Sequence, residues 1–200
     1  MPPFRYFVIY KPYGMLSQFT PDHPGQRTLA DLAFRFPKKA YPVGRLDADS
    51  EGLLLLTDDA RLKTRLLAPE SGHERTYLAQ VEGIPEEAAI EQMRRGVDIR
   101  INGRLYRTRP ARVHRLEAPP PDLPPREPPI RYRKHVPNCW LEITLTEGKN
   151  RQVRRMCAAV GYPVLRLVRI RFGPLRWGEA MLQGLQPGEV RVLNASEVGG

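Results

Sequence analysis

Short apolar runs separated by turn residues organise the first quarter of the chain. Phe4 to Tyr10 predicts a first strand, which ends at the turn sequence Lys11-Pro12-Tyr13-Gly14. The continuous apolar run Leu53 to Leu56 is typical of a strand that is covered on both faces. Between these two strands the pattern predicts a short helix at 28–34, capped by Thr28, and a short strand at 41–43.

The rest of the chain mixes helical and strand patterns. Helices are predicted after Asp58 or Asp59, from Pro85 to Met93 and from Asn150 to Val160. A hairpin is predicted from Ile99 to Leu116, turning at Asn102-Gly103. Because there is no regular βαβ rhythm, we expect an α+β fold whose central sheet is mostly antiparallel or mixed, with flanking helices. Further strands are predicted at 76–82, 140–145, 164–172 and 190–193.

A proline-rich segment interrupts this pattern at residues 118–130. Proline lacks a backbone donor and restricts the chain, so this segment predicts a stiff, extended surface loop. It could separate two lobes, but nothing marks two independent domains. We therefore expect a single domain over residues 1–200.

The charge balance favours polyanionic partners. The 200 residues include 32 Lys and Arg against 22 Asp and Glu, which gives a net charge of +10. Because phosphate binding releases condensed counterions, this excess favours nucleic acid over the alternative of a basic surface that only maintains solubility. No segment is long and apolar enough for a membrane span or signal peptide, so we expect a cytoplasmic protein without membrane contact, and a monomer.

Metal-dependent and nucleotide-dependent chemistries lack their usual signals. The two cysteines form no CxxC pair and the four histidines are scattered, so zinc-ligand spacing is absent. The chain also lacks P-loop, GxGxxG, GxSxG and HExxH motifs. We therefore expect neither a metal nor a cofactor.

An acidic loop at residues 44–52 is the most informative stretch. Three carboxylates and Arg45 lie between two glycines, directly before the buried strand. One interpretation is a solvated turn whose Asp residues bond the local backbone. Another is a calcium loop, since DADSEGLLLLTD has acids at the first, third and fifth places and glycine at the sixth. Leu55 at the ninth place and Asp58 at the twelfth argue against calcium.

A basic segment begins the helix predicted at 150–160. Its apolar positions place Arg151 and Arg155 on the outer face and Arg154 at the border between core and solvent. Lys149 and the helix start could also bind a phosphate. In the strand at 76–82, Tyr77 reads as an ordinary sheet residue unless another observation gives it a role.

Five segments together resemble one enzyme family. GRLDADSEGLLLLTDD resembles the catalytic loop of pseudouridine synthases of the RsuA type. The segments YKPYGMLSQF, RTYLAQVEG, EGKNRQVRRM and VLRLVRIRFGPL resemble the other motifs of that family, in the family's order and over nearly the whole chain. The resemblance implies the pseudouridine synthase fold and isomerisation of a uridine in ribosomal RNA, most of all in the large subunit. Many relatives carry an N-terminal S4 domain, for which we expect no room before the first motif.

The resemblance also implies roles for individual residues. Asp47 corresponds to the catalytic aspartate, which either attacks ribose C1′ or removes the C2′ proton. Tyr77 corresponds to the tyrosine that packs against the target base, and Arg154 to the basic residue that pairs with the aspartate and keeps it ionised. Arg45 is a candidate for holding the RNA where the base is displaced. Weaker candidates for phosphate contacts are Lys11, Lys149, Arg151 and Arg155.

Two alternatives stay open at this point. One is a catalytically inactive RNA-binding protein that has the same fold. The other is a synthase of this type that modifies small-subunit or transfer RNA.

Overall fold

Eleven strands and three α-helices account for the regular structure in the computed structural model, which describes residues 4–131, 135–179 and 182–199. The helices are α1 (Ala60–Leu67), α2 (Glu87–Arg95) and α3 (Gln152–Ala159). The strands are β1 (Tyr6–Lys11), β2 (Tyr41–Pro42), β3 (Glu51–Thr57), β4 (Arg75–Glu82), β5 (Asp98–Ile101), β6 (Arg104–Arg107), β7 (Arg112–Leu116), β8 (Asn138–Leu145), β9 (Val164–Phe172), β10 (Leu175–Arg176) and β11 (Val190–Leu193).

A mixed nine-stranded sheet brings together the two ends and the middle of the chain. Its main order is β11-β1-β3-β9-β4-β8-β7, and β2 and β10 pair with β3 and β9. The pairing of β3 with β9 is parallel, whereas β4 pairs antiparallel with both β8 and β9. The predicted α+β class with a mostly antiparallel or mixed sheet is therefore confirmed.

Strand β3 lies inside the sheet and is covered on both faces, as its apolar run predicts. All seven of its residues are buried. Leu53 and Leu55 contribute to one hydrophobic cluster, whereas Leu54 and Leu56 contribute to another, as the period-two alternation of a strand requires. The sheet therefore carries a core on each side.

Gly52 allows β9 to come close to the start of β3. It has a φ of +101°, and a Cβ atom at this position would lie 2.2 Å from the backbone oxygen of Arg169. A residue with a side chain would be both strained and in collision with β9. This glycine therefore holds Arg169 beside the end of the acidic loop.

The segment at 28–34 differs from its predicted conformation. The helix predicted at 28–34 is wrong, because only a 3-10 turn forms at Leu29–Asp31, capped by Thr28 as expected. Beyond it, Phe34 packs against Phe7 in a cluster of aromatic rings, with centroids 5.5 Å apart. Burial of these rings outweighs the local preference for helix.

The predicted hairpin at 99–116 is also shorter than expected. Strands β5 and β6 form a hairpin around residues 102–103, as predicted. Strand β7, however, leaves this hairpin and pairs with β8 at the edge of the main sheet. There Val113 is fully buried against the core, which the isolated hairpin could not provide.

The proline-rich segment contains neither helix nor strand, as predicted, but it is not only a surface loop. Leu123 packs against the main hydrophobic cluster. The carbonyl of Pro124 accepts a 2.7 Å hydrogen bond from Arg166 of β9. The guanidinium of Arg126 stacks over the ring of Tyr13 at 4.2 Å. The segment is thus attached to the sheet and to the turn that follows β1.

None of the helices in the described ranges has the length and apolar character needed to cross a bilayer.

Candidate active site

The acidic loop connects β2 to β3 and presents Asp47. The hydroxyl of Ser17 accepts from the backbone N–H of Leu46 at 3.0 Å and donates to its carbonyl at 2.7 Å. The amide of Gly14 donates to the carbonyl of Ala48 at 2.7 Å. The segment after β1 therefore holds the loop on both sides of Asp47, whose own side chain remains 35% exposed.

The side chain of Lys11 binds the acidic loop from inside the protein and has no contact with solvent. Its side chain is fully buried, and Nζ donates to the carbonyls of Pro12, Met15 and Ala48 at 2.9, 2.7 and 3.3 Å. Burial lowers the pKa of Lys11 to about 7, against the opposing charges of nearby carboxylates. The predicted role of Lys11 in contacting RNA phosphates is therefore wrong. Its three carbonyl acceptors hold it in the interior instead.

Arg151 is the cation that contacts Asp47. Its guanidinium binds both carboxylate oxygens of Asp49, at 2.9 and 2.8 Å, and Nη1 lies 3.4 Å from Asp47 Oδ2. The predicted place of Arg151 on the outer face of a helix is wrong. The helix α3 begins at Gln152, so Arg151 precedes it. Arg151 has a left-handed φ of +50°, which turns its side chain toward the acidic loop.

Arg154 contacts Asp49, which corrects the predicted direct pairing of Arg154 with Asp47. Its Nη2 donates to the backbone carbonyl of Asp49 at 2.6 Å, and its Nε lies 3.4 Å from Asp49 Oδ2. The physical reason is that Arg151, released from the helix, occupies the position beside Asp47. Burial raises the pKa of Asp49, but hydrogen bonds and charge from Arg151 and Arg154 outweigh it, so this pKa lies below its ordinary value.

Asp47 and Tyr77 line one cleft of about 600 Å³. Tyr77 is half-buried in β4, where it is paired with Ile143 of β8 and Arg169 of β9. Pockets for small ligands commonly have volumes of roughly 300–1,000 Å³. The cleft is therefore large enough for a single nucleotide to enter beside the carboxylate and the tyrosine ring.

Positive charge dominates the lining of this cleft. Glu147 also lines it, but this carboxylate is buried and accepts from Tyr106, the amide of Arg109 and Gln152. Asp47 thus offers the accessible carboxylate in a basic environment that suits a polyanion. The cations of the lining are Arg45, Arg75, Arg109, Lys149, Arg151 and Arg169.

Comparison with protein families identifies the chain. The profile of the family described as RNA pseudouridylate synthase matches residues 5–159. The chain belongs to this family. It is thus an RNA pseudouridine synthase, an isomerase, and the fold and enzyme class implied by its motifs are confirmed.

Two kinds of relatives are similar to this synthase over most of its length. Ribosomal large subunit pseudouridine synthase E of Xanthomonas campestris pv. campestris is 50% identical over 192 residues, which are 96% of each chain. The protein of the same name from Vibrio vulnificus is 48% identical over 92% of this chain and 73% of its own. Ribosomal large subunit pseudouridine synthase B of Bacillus subtilis is 34% identical over 96% of this chain and 69% of its own. The proline-rich segment followed by EPPIRYRK also resembles synthase E.

A solved structure supports the same assignment. The crystal structure of a pseudouridylate synthase has a TM-score of 0.76 and 29% identity to this synthase, and the match covers 100% of this chain and 74% of the other. The sheet and its flanking helices are therefore those of the pseudouridine synthase fold.

The predicted RNA-contacting cations occupy different places in the synthase. Arg45 lies exposed at the cleft and donates to Gln18 at 3.0 Å. Lys149 also lines the cleft, 4.9 Å above the ring of Tyr106. Arg155 lies outside the lining, where it donates to the carbonyls of Asn150 and Arg100. The phosphate contacts of these residues stay predictions.

The calcium alternative does not fit the positions of the acidic side chains. Glu51, at the fifth place of the supposed calcium loop, begins β3 and forms a buried ion pair with Arg166 at 2.8 Å. Asp49 is bound by two arginines. In the described ranges, no group of three or more His, Cys, Asp or Glu side chains is arranged to hold a metal ion.

Three residues of the cleft were not singled out by the sequence. Arg75, Arg169 and Phe172 belong to β4 and β9, and both guanidinium groups lie against the Phe172 ring, at 5.5 and 4.6 Å. The available signal was the presence of three arginines, at 166, 169 and 171, among the apolar residues of β9. In a strand covered on both faces, such a residue needs an explanation.

Proposed function

We propose that this synthase converts a specific uridine of large-subunit (23S) ribosomal RNA to pseudouridine. The names of its relatives, synthases E and B of the large ribosomal subunit, support this substrate. The net charge of +10 and the basic lining of the cleft suit RNA. We propose that ribosomal RNA is its macromolecular partner, that it acts as a monomer in the cytoplasm, and that it needs no cofactor because the reaction conserves all atoms.

The exposed carboxylate of Asp47, in the same cleft as Tyr77, is the observation that carries the proposal. The reaction breaks the bond between ribose C1′ and uracil N1 and forms a bond between C1′ and C5. A proton leaves C5 and N1 gains one. An ionised Asp47 can either attack C1′ or remove the C2′ proton, and both routes place its carboxylate against the sugar.

Arg151 and Arg154 divide the task of supporting Asp47. Arg151 is the cation beside the Asp47 carboxylate, with 3.4 Å between their nearest atoms. A neighbouring positive charge favours the ionised form of a carboxylate when RNA excludes water. Arg154 holds the backbone of Asp49 and thereby orients the acidic loop. Arg154 thus acts on Asp47 through the loop.

The target base must leave its stack to reach this cleft. Unstacking costs a few kcal/mol, and least in RNA loops, where the base is already exposed. Tyr77 offers an aromatic ring against which the everted base can pack. Arg45, exposed beside Asp47, is placed to contact the backbone of the displaced nucleotide.

The replacement Asp47→Asn tests the assignment of the catalytic group. It preserves the shape of the side chain but removes its charge, so we expect isomerisation to fall by at least about a thousandfold, with RNA binding changed by no more than a few fold. The release of tritium from RNA labelled at uracil C5 measures the reaction, and filter binding measures the affinity. Asp98→Asn, at the exposed first residue of β5, serves as the control and retains activity. Substantial product formation by Asp47→Asn contradicts the assignment.

A map of pseudouridines in a strain that lacks the gene tests the substrate. We expect a single site in the large-subunit RNA to remain uridine. Loss of a site in small-subunit or transfer RNA instead contradicts the proposed substrate. An unchanged map supports the alternative of an inactive RNA-binding protein. Restoration of the site by the wild-type gene, but not by Asp47→Asn, connects the map to the catalytic group.

A further inference from the structure

Arg169 is a buried arginine of the cleft lining, beside Tyr77 in the sheet. Arg169 is only 2% exposed, yet it lines the same cleft as Asp47. It lies in β9, directly across from Tyr77 of β4. Its Nε donates to the carbonyl of Leu53 at 2.9 Å, and its guanidinium carbon lies 4.6 Å from the centre of the Phe172 ring. The side chain is therefore held at a defined place in the cleft.

One nitrogen of this guanidinium has no acceptor in the protein. Among the described residues, none makes a hydrogen bond with Arg169 Nη2, although the atom is buried. The neighbouring buried arginines differ. Arg166 binds both oxygens of Glu51, and Arg75 donates to the carbonyls of His73 and Leu66.

A buried and unsatisfied donor is costly, so its presence calls for an explanation. Burial lowers the pKa of Arg169, whereas the charge of Tyr77 and a hydrogen bond with its side chain favour the charged form of Arg169. A guanidinium in proteins stays protonated and offers donors only. An acceptor brought into the cleft by the substrate would supply this guanidinium with a further partner.

The depth of the cleft determines which part of a uridine can reach Arg169. The reacting C1′ atom must lie at Asp47, whose side chain is 35% exposed, near the mouth. In the uracil ring, C4 is opposite N1, so the O4 carbonyl is the part of the base farthest from the sugar. A base that enters between Asp47 and Tyr77 therefore directs O4 toward the buried guanidinium.

We propose that Arg169 recognises the target base by donating a hydrogen bond from its guanidinium to the uracil carbonyl opposite the sugar. This inference rests on the proposed function. In uridine that carbonyl is O4. Rotation of the base about its N3–C6 axis exchanges N1 with C5 and C4 with C2, so in pseudouridine the carbonyl opposite the sugar is O2. Arg169 thus meets a carbonyl oxygen at the same place before and after the isomerisation.

The same contact distinguishes uridine from cytidine. Cytosine has an amino group at C4, which would face a guanidinium that also offers only donors. Two donors then remain buried without acceptors. The cost of one buried unsatisfied group corresponds to roughly a 5- to 150-fold loss of affinity. Arg169 therefore selects a uracil carbonyl at this depth and rejects the amino group.

A double-mutant cycle between the Arg169 side chain and the O4 carbonyl of the target base tests this contact. The probes are two versions of the RNA fragment that contains the mapped uridine. At that position one carries uridine and the other carries 4-deoxyuridine (2-pyrimidinone riboside), which lacks O4 and also the N3 proton, a loss that both proteins meet alike. Wild-type protein should bind the 4-deoxy RNA about 5- to 150-fold more weakly than the uridine RNA. Arg169→Met, which removes the donors at similar volume, should bind the two RNAs within about threefold of each other.

The controls separate recognition from folding. Arg171→Met removes another arginine of β9, one that pairs with Glu74 outside the cleft, and should keep the wild-type ratio between the two RNAs. A cytidine RNA should show the same pattern as the 4-deoxy RNA. The proposal is overturned if replacing uridine by 4-deoxyuridine weakens RNA binding by the same factor in the wild-type protein and in Arg169→Met.

The outcome for Arg169 is distinguishable from the outcome for the proposed function. If Arg169→Met does not fold, the wild-type protein still decides, since an equal affinity for the uridine and 4-deoxy RNAs overturns the contact. A wild-type protein that isomerises the uridine but ignores O4 refutes this inference alone. A wild-type protein that isomerises no ribosomal uridine refutes the proposed function.

Discussion

At the scale of single residues, burial decides what each charged side chain does. Asp47 and Lys11 belong to adjacent segments, yet Asp47 is 35% exposed in the cleft, whereas Lys11 is fully enclosed by backbone carbonyls. An exposed carboxylate beside an arginine is available to a substrate. An enclosed ammonium stabilises a loop and pays a desolvation cost for its charge. Residue type alone does not distinguish these two situations.

The titration of Lys11 leads to a prediction about stability. Its pKa is about 7 in the folded protein, against 10.5 for an ordinary lysine. Between these values the unfolded state binds more protons, so the contribution of Lys11 to stability rises with pH in that window. We expect the free energy of unfolding of wild type, relative to Lys11→Met, to increase by about 1.4 kcal/mol per pH unit above pH 7.

Urea unfolding of both proteins at about pH 7, 8 and 9 measures this difference. The comparison removes the contributions of all other titrating groups, because both proteins share them. A constant difference across the window would show that Lys11 does not titrate there.

At the scale of elements, β3 and β9 form the support beneath the cleft. They run parallel where Gly52 meets Arg169, directly after the acidic loop. Nearby, Glu51 and Arg166 form a buried bidentate pair with side chains 2% and 7% exposed. Arg166 also donates to Pro124, so one guanidinium joins the acidic loop, the sheet and the proline-rich segment.

The buried pair leads to a prediction about both stability and the proline-rich segment. Glu51→Gln leaves Arg166 buried without its counter-charge, so we expect a loss of about 3–5 kcal/mol in the free energy of unfolding. The double variant Glu51→Gln with Arg166→Met should recover part of this loss, because no unpaired charge remains. Urea denaturation measures both changes. Equal stability of the two variants would contradict this account.

The double variant also releases Pro124 from Arg166. We therefore expect faster trypsin cleavage after Arg126 in the double variant than in Glu51→Gln, which keeps Arg166. The rate of fragment formation under native conditions measures this effect. Equal rates would show that other contacts hold the segment.

At the scale of the whole molecule, the net charge is +10, and six of the cationic side chains line the cleft. Counterion release makes RNA affinity depend on salt, with a slope in log K against log salt of roughly −0.7 to −0.9 per phosphate contacted. We expect Lys149→Gln to make this slope shallower by about one such contact. Arg95→Gln, which removes an exposed arginine paired with Glu91 on α2, should leave the slope unchanged.

Binding titrations at several salt concentrations test this prediction and also that for Arg155. A change of slope in Arg155→Gln would show that the RNA path extends beyond the cleft. A wild-type affinity that does not respond to salt would remove the argument from charge.

The sequence could predict those parts of the fold that depend on local pattern. The apolar run in β3, the alternation in β4 and the turn at residues 102–103 all appear in the structure as expected. The helix at 28–34 could not be predicted correctly, because distant aromatic rings decide the conformation there. The catalytic motif was readable because its residues are adjacent in the chain.

The family, the motif that contains Asp47 and the basic character of the protein could all be read from the amino-acid sequence, since they depend on residue identity and order. The packing of the folded chain placed Arg151, and not Arg154, against Asp47, enclosed Lys11, and set Arg169 across from Tyr77. These facts depend on where a helix begins and on which strands become neighbours. Such choices are settled by packing between segments far apart in the chain.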